Sequence, residues 1–364
     1  MLILASIIIS FVLIVLLFPF YYLGLKARKF LYDKGYLKSQ KFEIPVVSIG
    51  NVTVGGTGKT PHTEMLVAAL KEKYKLAVLS LGYKRKTKGF YIVQPDDDYS
   101  RCGDEPLQIK LKFPDVIVAV CKEREVAIRK LIDDYQVNFI LLDDGFQYRK
   151  VTPSFNVLLV NYKRPINKDR LIPFGRLRDL ASGVDRADSV IISKSPNFAL
   201  EDGNEYENLA LERTIKEEKR WRAALKLRNE QTLYFSTLYY REAEPVFPQF
   251  ANRRYIYSKF AVCFSGIASD KEFKAQLVGS YHIEKSLKFR DHKDFSKSDI
   301  NKIAKIARKQ HEAVIMTTEK DSMRLRCNKN IPDDIKERMF YLPVGCKIIP
   351  KVKADAFLRL AEKM

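Results

Sequence analysis

An α/β protein is predicted: a doubly wound domain carrying a P-loop, a second, smaller α/β domain, and an N-terminal transmembrane helix. Three observations predict it. A glycine loop, Thr53-Val54-Gly55-Gly56-Thr57-Gly58-Lys59-Thr60, stands between an apolar run and a helical pattern. Short apolar runs then recur at intervals long enough for crossover helices. Residues 1–25 contain no charged side chain.

Taken in chain order, residues 2–17 are almost wholly aliphatic, broken by Ser6 and Ser10. About 20 helical residues at ~1.5 Å each span a hydrocarbon core of ~30 Å. A cleaved signal peptide would open on basic residues and end in small ones. Here no Lys or Arg precedes the run, and Tyr21, Tyr22 and Leu23 follow it. Lys26, Arg28, Lys29, Lys34, Lys38 and Lys41 come next, which places the bulk of the chain in the cytoplasm by the positive-inside rule. The expectation is an uncleaved anchor at 1–25 and a basic juxtamembrane segment at 26–43 that rests against lipid.

From Ile44 strands and helices alternate. Ile44–Ile49, Leu76–Ser80, Val116–Val120, Phe139–Leu142, Val157–Val160 and Ser189–Ser193 read as strands; Pro61–Leu70 and Lys122–Tyr135 read as helices. This is the P-loop domain, 44–230. Its last part, Glu205 to Glu230, is a charged helix with Trp221 and Leu225 on one side, read as a solvated surface helix. Thr232–Tyr240 reads as a strand or a ribbon within a linker at 231–259. A smaller domain, 260–364, has strands at Phe260–Phe264, Ala313–Thr317 and Met339–Leu342, and helices at Asp270–Val278, Lys297–Arg308 and Lys353–Lys363.

Among 364 residues, Lys+Arg number 64 and Asp+Glu 44, a formal net charge of +20. That excess calls for an anionic partner: acidic lipid, a phosphorylated substrate or nucleic acid. No nucleic-acid motif is present, and no nucleic-acid partner is expected. The 5 cysteines are scattered without a CxxC, and the 4 histidines have no ligand spacing. Neither a disulfide framework nor a structural zinc site is expected.

The chemistry starts at the glycine loop. Glycines let successive backbone N–H groups turn inward on phosphate oxygens, and the helix N-terminus adds partial positive charge. Thr53 to Thr60 therefore form the nucleotide cradle, with Lys59 reaching the β/γ-phosphates and Thr60 a Mg²⁺ ligand. A strict Walker pattern has glycine where Thr53 stands. The apolar strand ending in Asp143-Asp144-Gly145 is Walker-B-like, with Asp143 and Asp144 at the metal. An Asp-Asp-Gly turn after a buried strand is the bland alternative. Gly103-Asp104-Glu105-Pro106 offers a loop carboxylate able to take a proton from a hydroxyl, or a plain acidic turn. Arg290-Asp291-His292-Lys293-Asp294 sets a histidine among acids, which suits tautomer control. Lys84-Arg85-Lys86, Arg124, Arg176 and Arg178 are candidate phosphate clamps.

Together these blocks resemble the tetraacyldisaccharide 4′-kinases of lipid A biosynthesis. The resemblance runs from the N-terminal anchor to Thr318-Glu319-Lys320-Asp321. It rests on Ser48-Ile49-Gly50-Asn51 with the glycine loop, which in the family also lacks the first Walker glycine. It rests also on Gly103-Asp104-Glu105-Pro106, Asp143-Asp144-Gly145-Phe146-Gln147, the run Leu171 to Arg178, and Phe264-Ser265-Gly266-Ile267. It implies ATP- and Mg²⁺-dependent phosphorylation of the 4′-hydroxyl of a lipid A disaccharide precursor, giving lipid IVA. It implies an anchor in the bacterial inner membrane and contact with its lipid. By position, Asp104 is the base, His292 its partner from the other domain, and Arg124 and Arg178 contact substrate or phosphate. The chain departs from the family pattern at Leu81, where arginine is usual, at Tyr148, where histidine is common, and at Asp179, where glutamate is frequent. One basic contact is therefore missing at Leu81, or replaced by Lys84 or Arg85.

The runner-up is a membrane-tethered P-loop NTPase switch with no small-molecule acceptor. A GTPase would carry Asn-Lys-x-Asp, and Asn167-Lys168-Asp169-Arg170 lacks the final acid.

Overall fold

Val46-Val47-Ser48-Ile49-Gly50 is buried at every position, without the alternation of a half-exposed strand. A strand covered on both faces belongs inside a parallel sheet flanked by helices. The computed structural model describes residues 2–196 and 204–362; the side chains of 2–17, 204–210, 351–352 and 361–362 lie outside the described set.

The first unit runs α1 (Leu2–Asp33), β1 (Val46–Gly50), α2 (Lys59–Leu70), β2 (Leu76–Ser80), β3 (Tyr91–Ile92), α3 (Tyr99–Cys102), α4 (Asp104–Lys112), β4 (Ile117–Val120) and α5 (Arg124–Asp133). It continues through β5 (Phe139–Asp143), β6 (Phe155–Asn161), β7 (Ser189–Ser193), α6 (Asn204–Leu225) and β8 (Thr232–Tyr240). The second has β9 (Glu244–Pro245), β10 (Phe260–Ser265), α7 (Lys271–Val278), β11 (His282–Lys288), α8 (Lys297–Lys309), β12 (Val314–Thr318), α9 (Glu319–Leu325), α10 (Asp333–Lys336) and β13 (Met339–Leu342). The chain then returns as β14 (Val344–Ile349) and α11 (Lys351–Glu362).

Among the described residues the strands form a nine-stranded sheet, β14-β8-β7-β6-β1-β5-β2-β4-β3, and a five-stranded one, β11-β10-β12-β13-β9. The register of β1 on β5 sets Ile49 beside Asp143, so the glycine loop and the acidic turn leave the same sheet edge. One face is closed by Leu66, Val67 and Leu70 of α2, Leu107 of α4 and Phe357 of α11. Ala127, Ile128 and Leu131 of α5 pack on the sheet through a separate cluster. Trp221 and Leu225 of α6 are 2% and 4% exposed, so that charged helix does bury the stripe its sequence shows.

The structure moves three expected boundaries. Gly103 to Pro106 is not a loop: Asp104 opens α4, which has Asp104 and Glu105 in its first turn. Acids and proline at a helix start satisfy the dipole and waste no N–H donor, and single-sequence reading took the Gly-Asp-Pro composition for a turn. The linker placed at 231–259 begins with β8, which pairs parallel with β7 and antiparallel with β14 inside the large sheet. The domain placed at 260–364 gives up β14 and α11 to the first unit, because their apolar faces complete that unit's core at Ile348 and Phe357. Strand β11, which precedes His292, is mostly exposed and lacks the apolar run that marks a strand.

The expected anchor at 1–25 falls on α1, and its side chains through residue 17 lie outside the described residues. Among the described residues no helix is long and apolar enough to cross a membrane. From Phe18 onward α1 lies on the first unit: Phe18 meets Phe174 edge-on at 4.9 Å, and Tyr21 donates to the Arg178 carbonyl at 3.1 Å.

Both units grip α4. Lys112 at its end lies 2.7 Å from Glu64 of α2 and 2.6 Å from Glu319 of α9. Glu319 also accepts the Val344 N–H, where the chain returns to the first unit. Burial, with the Glu319 charge adding and Lys112 opposing, raises Glu64 from 4.5 to about 7. A carboxyl with a raised folded-state pKa favours folding below its unfolded value, and that gain is lost as pH climbs through the folded value. Replacing Lys112 by Met leaves two buried carboxylates without their cation. The expected loss is about 3 kcal/mol at pH 8 and distinctly less at pH 5. Denaturant unfolding at both pH values checks this, and an equal loss at each would remove the electrostatic account.

Candidate active site

The glycine loop leaves β1 and enters α2 through Gly58, the N-cap, at φ 84 with no side chain capping the first turn. The N–H groups there are open to an acceptor from outside, and the dipole favours an anion. Gly55 also has positive φ, 104, a backbone that side chains strain to adopt. The loop is braced from behind: Asn51 Nδ2 donates to Thr57 Oγ1 at 2.7 Å, and Val54 N–H to the Arg176 carbonyl at 2.7 Å. Thr53 pairs with Leu177 in an isolated bridge, so the position without the Walker glycine is held as extended backbone.

Asp143 and Asp144 stand next to this loop. Asp143 is fully buried and accepts from Thr63 Oγ1 at 3.0 Å and Ser80 Oγ at 3.4 Å. Burial first, then the charges of Glu105 and Asp144, push it up to about 6, against Lys59. A buried carboxylate crowded by two others is a place where a cation relieves repulsion. Asp144, at φ 48, lies 3.6 Å from Lys59 Nζ and is salt-bridged by Arg178. Burial would raise its pKa, but Lys59 and Arg178 bring it below the usual range. Among the described residues there is no cluster of three or more His, Cys, Asp or Glu ligands. A hard cation here would be held by Asp143, Asp144 and the Thr60 hydroxyl, with phosphate oxygens supplying further ligands, as suits Mg²⁺.

Arg178 stands beside the glycine loop, its Nη2 2.9 Å from Asn51 Oδ1. Arg124 is 3% exposed, donates to the Asp144 carbonyl at 3.0 Å and the Asp143 carbonyl at 3.2 Å, and stacks on Tyr148. Two of its guanidinium nitrogens hold the acidic turn from behind, and this burial sets it apart from an open substrate contact. Arg85 is likewise turned to the carbonyls of Val120 and Gly89.

The second unit supplies the remaining wall. Asp104, 6% exposed, lies 3.2 Å from His292 Nδ1, a contact between residues 188 apart in sequence. A carboxylate only accepts, so Nδ1 carries the proton. Burial would raise the Asp104 pKa, but the His292 hydrogen bond and the charges of Lys320 and Arg324 outweigh it and take it to about 2. Lys320 is ion-paired with Glu105. Tyr83, Lys84 and Tyr99 line the hollow in front of Asp104 and His292.

Comparison with known proteins points to one family. A model of LpxK, the tetraacyldisaccharide-1-P 4′-kinases, matches residues 10–362. The chain belongs to this family. It is 40% identical over 330 residues to the tetraacyldisaccharide 4′-kinase of Phocaeicola vulgatus, covering 88% of this chain and 86% of that one. Identity to the enzyme of the same name from Porphyromonas gingivalis is 37% over 350 residues, covering 93% and 94%. The "apo" form of LpxK from Aquifex aeolicus, solved in complex with ATP, superposes with a TM-score of 0.69 at 25% identity, covering 96% of this chain and 99% of that one.

In this LpxK family member, one residue at the seam escaped the sequence reading. Arg324 of α9 is 4% exposed, with Nε 3.7 Å from Asp104 Oδ2 and Nη2 2.8 Å from Asp321 Oδ1. Its Nη1 donates to the Lys293 carbonyl at 3.2 Å, beside His292. It thus holds the histidine loop and faces the carboxylate at once. The only sequence signal was a helical offset of three from Asp321, which any surface helix also shows. Replacing Arg324 by Met removes a charge that keeps Asp104 ionised. The acid limb of the pH–activity profile should then move up by ~1 unit; an unmoved limb would leave Arg324 with packing alone.

Proposed function

We propose that this chain transfers the γ-phosphoryl group of ATP to the 4′-hydroxyl of a tetraacyldisaccharide 1-phosphate, yielding lipid IVA in lipid A biosynthesis. The observation that carries the reading is the shared rim. An uncapped glycine loop with Lys59, the Asp143–Asp144 turn and a buried, ionised Asp104 converge from β1, β5 and α4, within a chain that matches the kinase family over nearly its whole length.

ATP supplies the phosphoryl group, and Mg²⁺ offsets its charge. The rest falls to the chain. Backbone N–H groups from Thr53 to Thr60 cradle phosphate, and Lys59 exchanges Asp144 for phosphate oxygens. Asp104 Oδ2 receives the acceptor's hydroxyl proton, while His292 Nδ1–H holds that carboxylate in place. The low pKa of Asp104 suits a loose transition state, in which the proton leaves late. Arg178 contributes charge at the phosphate side; Lys84, on the acceptor side, meets an anionic headgroup.

A lipid acceptor also accounts for α1. Phe20 and Phe30 are 72% and 54% exposed beside Lys26, Lys29 and Lys34, an arrangement that suits an anionic leaflet, and each nearby cation adds ~1 kcal/mol there. We place the chain on the inner membrane of a bacterium, held by its N-terminal segment, with the catalytic units cytoplasmic.

Incubation with ATP, Mg²⁺ and the disaccharide 1-phosphate should add one phosphate to the distal sugar, read by product mass. ATP hydrolysis indifferent to the acceptor would support the NTPase-switch reading instead. Lys59→Ala should lower turnover by more than about 100-fold; near-normal turnover would remove the lysine from the transition state. Removing residues 1–17 leaves the Phe18 and Tyr21 contacts intact and should reduce co-sedimentation with anionic vesicles. Unchanged sedimentation would remove the anchor.

A further inference from the structure

His62 is the one histidine in the first unit, and the proposed mechanism does not use it. It sits on the first turn of α2, 1% exposed, with its ring against the glycine loop. Nδ1 is 2.6 Å from the Gly58 carbonyl oxygen, and Nε2 is 2.7 Å from Ser236 Oγ. The His62 N–H reaches the same carbonyl at 3.2 Å. A Cβ on Gly58 would come within 3.4 Å of His62 Nδ1, so the ring lies directly on that glycine. Ser236 is a fixed post: it is fully buried, paired in register with Ile348, and its carbonyl accepts the Ser195 N–H at 2.9 Å.

The chemistry of the partners assigns the protons. A carbonyl oxygen only accepts, so Nδ1 bears hydrogen. Neither ring nitrogen faces a carboxylate, and an unpaired ion this deeply buried is costly, so the ring is neutral. Nε2 is then a lone pair that accepts from the Ser236 hydroxyl; the Gly58 carbonyl selects the Nδ1–H tautomer, and Ser236 completes it.

We propose that His62 is a positioning residue of the phosphate loop, a tautomer-selected latch that fixes the orientation of the Gly58–Lys59 peptide. The reason is geometric. In a planar trans peptide the C=O and N–H point opposite ways. Gly58 sits at positive φ, where a glycine without a side chain is free to turn its peptide over. Two donors on the Gly58 oxygen hold that end down toward α2, and the Lys59 N–H stays directed out at the phosphate site. The post for this latch is β8, the strand by which the chain crosses toward the second unit.

The inference rests on the ATP-kinase reading, and its test separates the two. An asparagine amide overlies Nδ1 of histidine, and a glutamine amide overlies Nε2. His62→Asn keeps the donor to Gly58, whereas His62→Gln reaches only toward Ser236. Loss of one such hydrogen bond to a buried carbonyl weakens a site by about tenfold. The KM for ATP should therefore rise about tenfold in His62→Gln and no more than about threefold in His62→Asn, with the acceptor KM unchanged in both. Equal rises that follow equal drops in unfolding temperature would reduce His62 to packing and overturn the latch. Long-range ¹H–¹⁵N spectra of the ¹⁵N-histidine-labelled wild type should show a neutral Nδ1–H ring at position 62, the signal missing from His62→Asn. A neutral Nε2–H ring would overturn the proposal even if both variants fail to fold. Should the wild type transfer no phosphate to the disaccharide while binding of a fluorescent ATP analogue follows the same Asn-over-Gln order, the latch stands and the kinase reading falls.

Discussion

A carboxylate that is 6% exposed yet ionised is the constraint around which the molecule is arranged. Asp104 opens α4 in the first unit, but the groups that keep it charged, His292, Lys320 and Arg324, come from the second. Leaving such a charge unpaired would cost several kcal/mol. The two sheets are therefore joined by more than chain connectivity. Their seam is an ion-pair network, and it forms with Asp104 and His292 already in contact.

The same economy of charge appears on the nucleotide side. Lys59 and Arg178 both engage Asp144, and Arg124 is buried beneath the acidic turn with its guanidinium on backbone carbonyls. A cation-rich rim held by its own acids has groups to redirect toward an anionic ligand. Asp143, pushed up by burial and then by its acidic neighbours, has the opposite need, which a divalent ion would meet. The two aspartates are adjacent in sequence and differ because Asp144 turns at positive φ toward Lys59, while Asp143 stays in the strand register beneath.

Legibility followed the range of the interactions. The β1–loop–α2 unit was readable because strand, turn and helix start each depend on neighbours within a few residues, and the glycines have no other use there. Strands buried on both faces were readable as apolar runs. Strand β11 was not, because it lies at a sheet edge with most positions exposed. The start of α4 was missed because Gly, Asp and Pro mark turns and helix N-termini alike. Strand β14 was not read as a strand and was left in the smaller domain, since six residues with one glycine carry no sign of the sheet they will join. Arg324 was invisible because its role is set by which carboxylate lies opposite it.

By itself the amino-acid sequence determined the class of fold, the phosphate loop with Lys59 and Thr60, and the acidic strand end at Asp143 and Asp144. Each is written in contiguous residues whose backbone preferences agree. The tertiary structure alone decided that Asp104 and His292 meet, that Arg124 faces inward, and that β14 closes the first sheet. Those outcomes depend on which buried charges and apolar faces find partners across the chain, a balance of desolvation and pairing that no local pattern encodes.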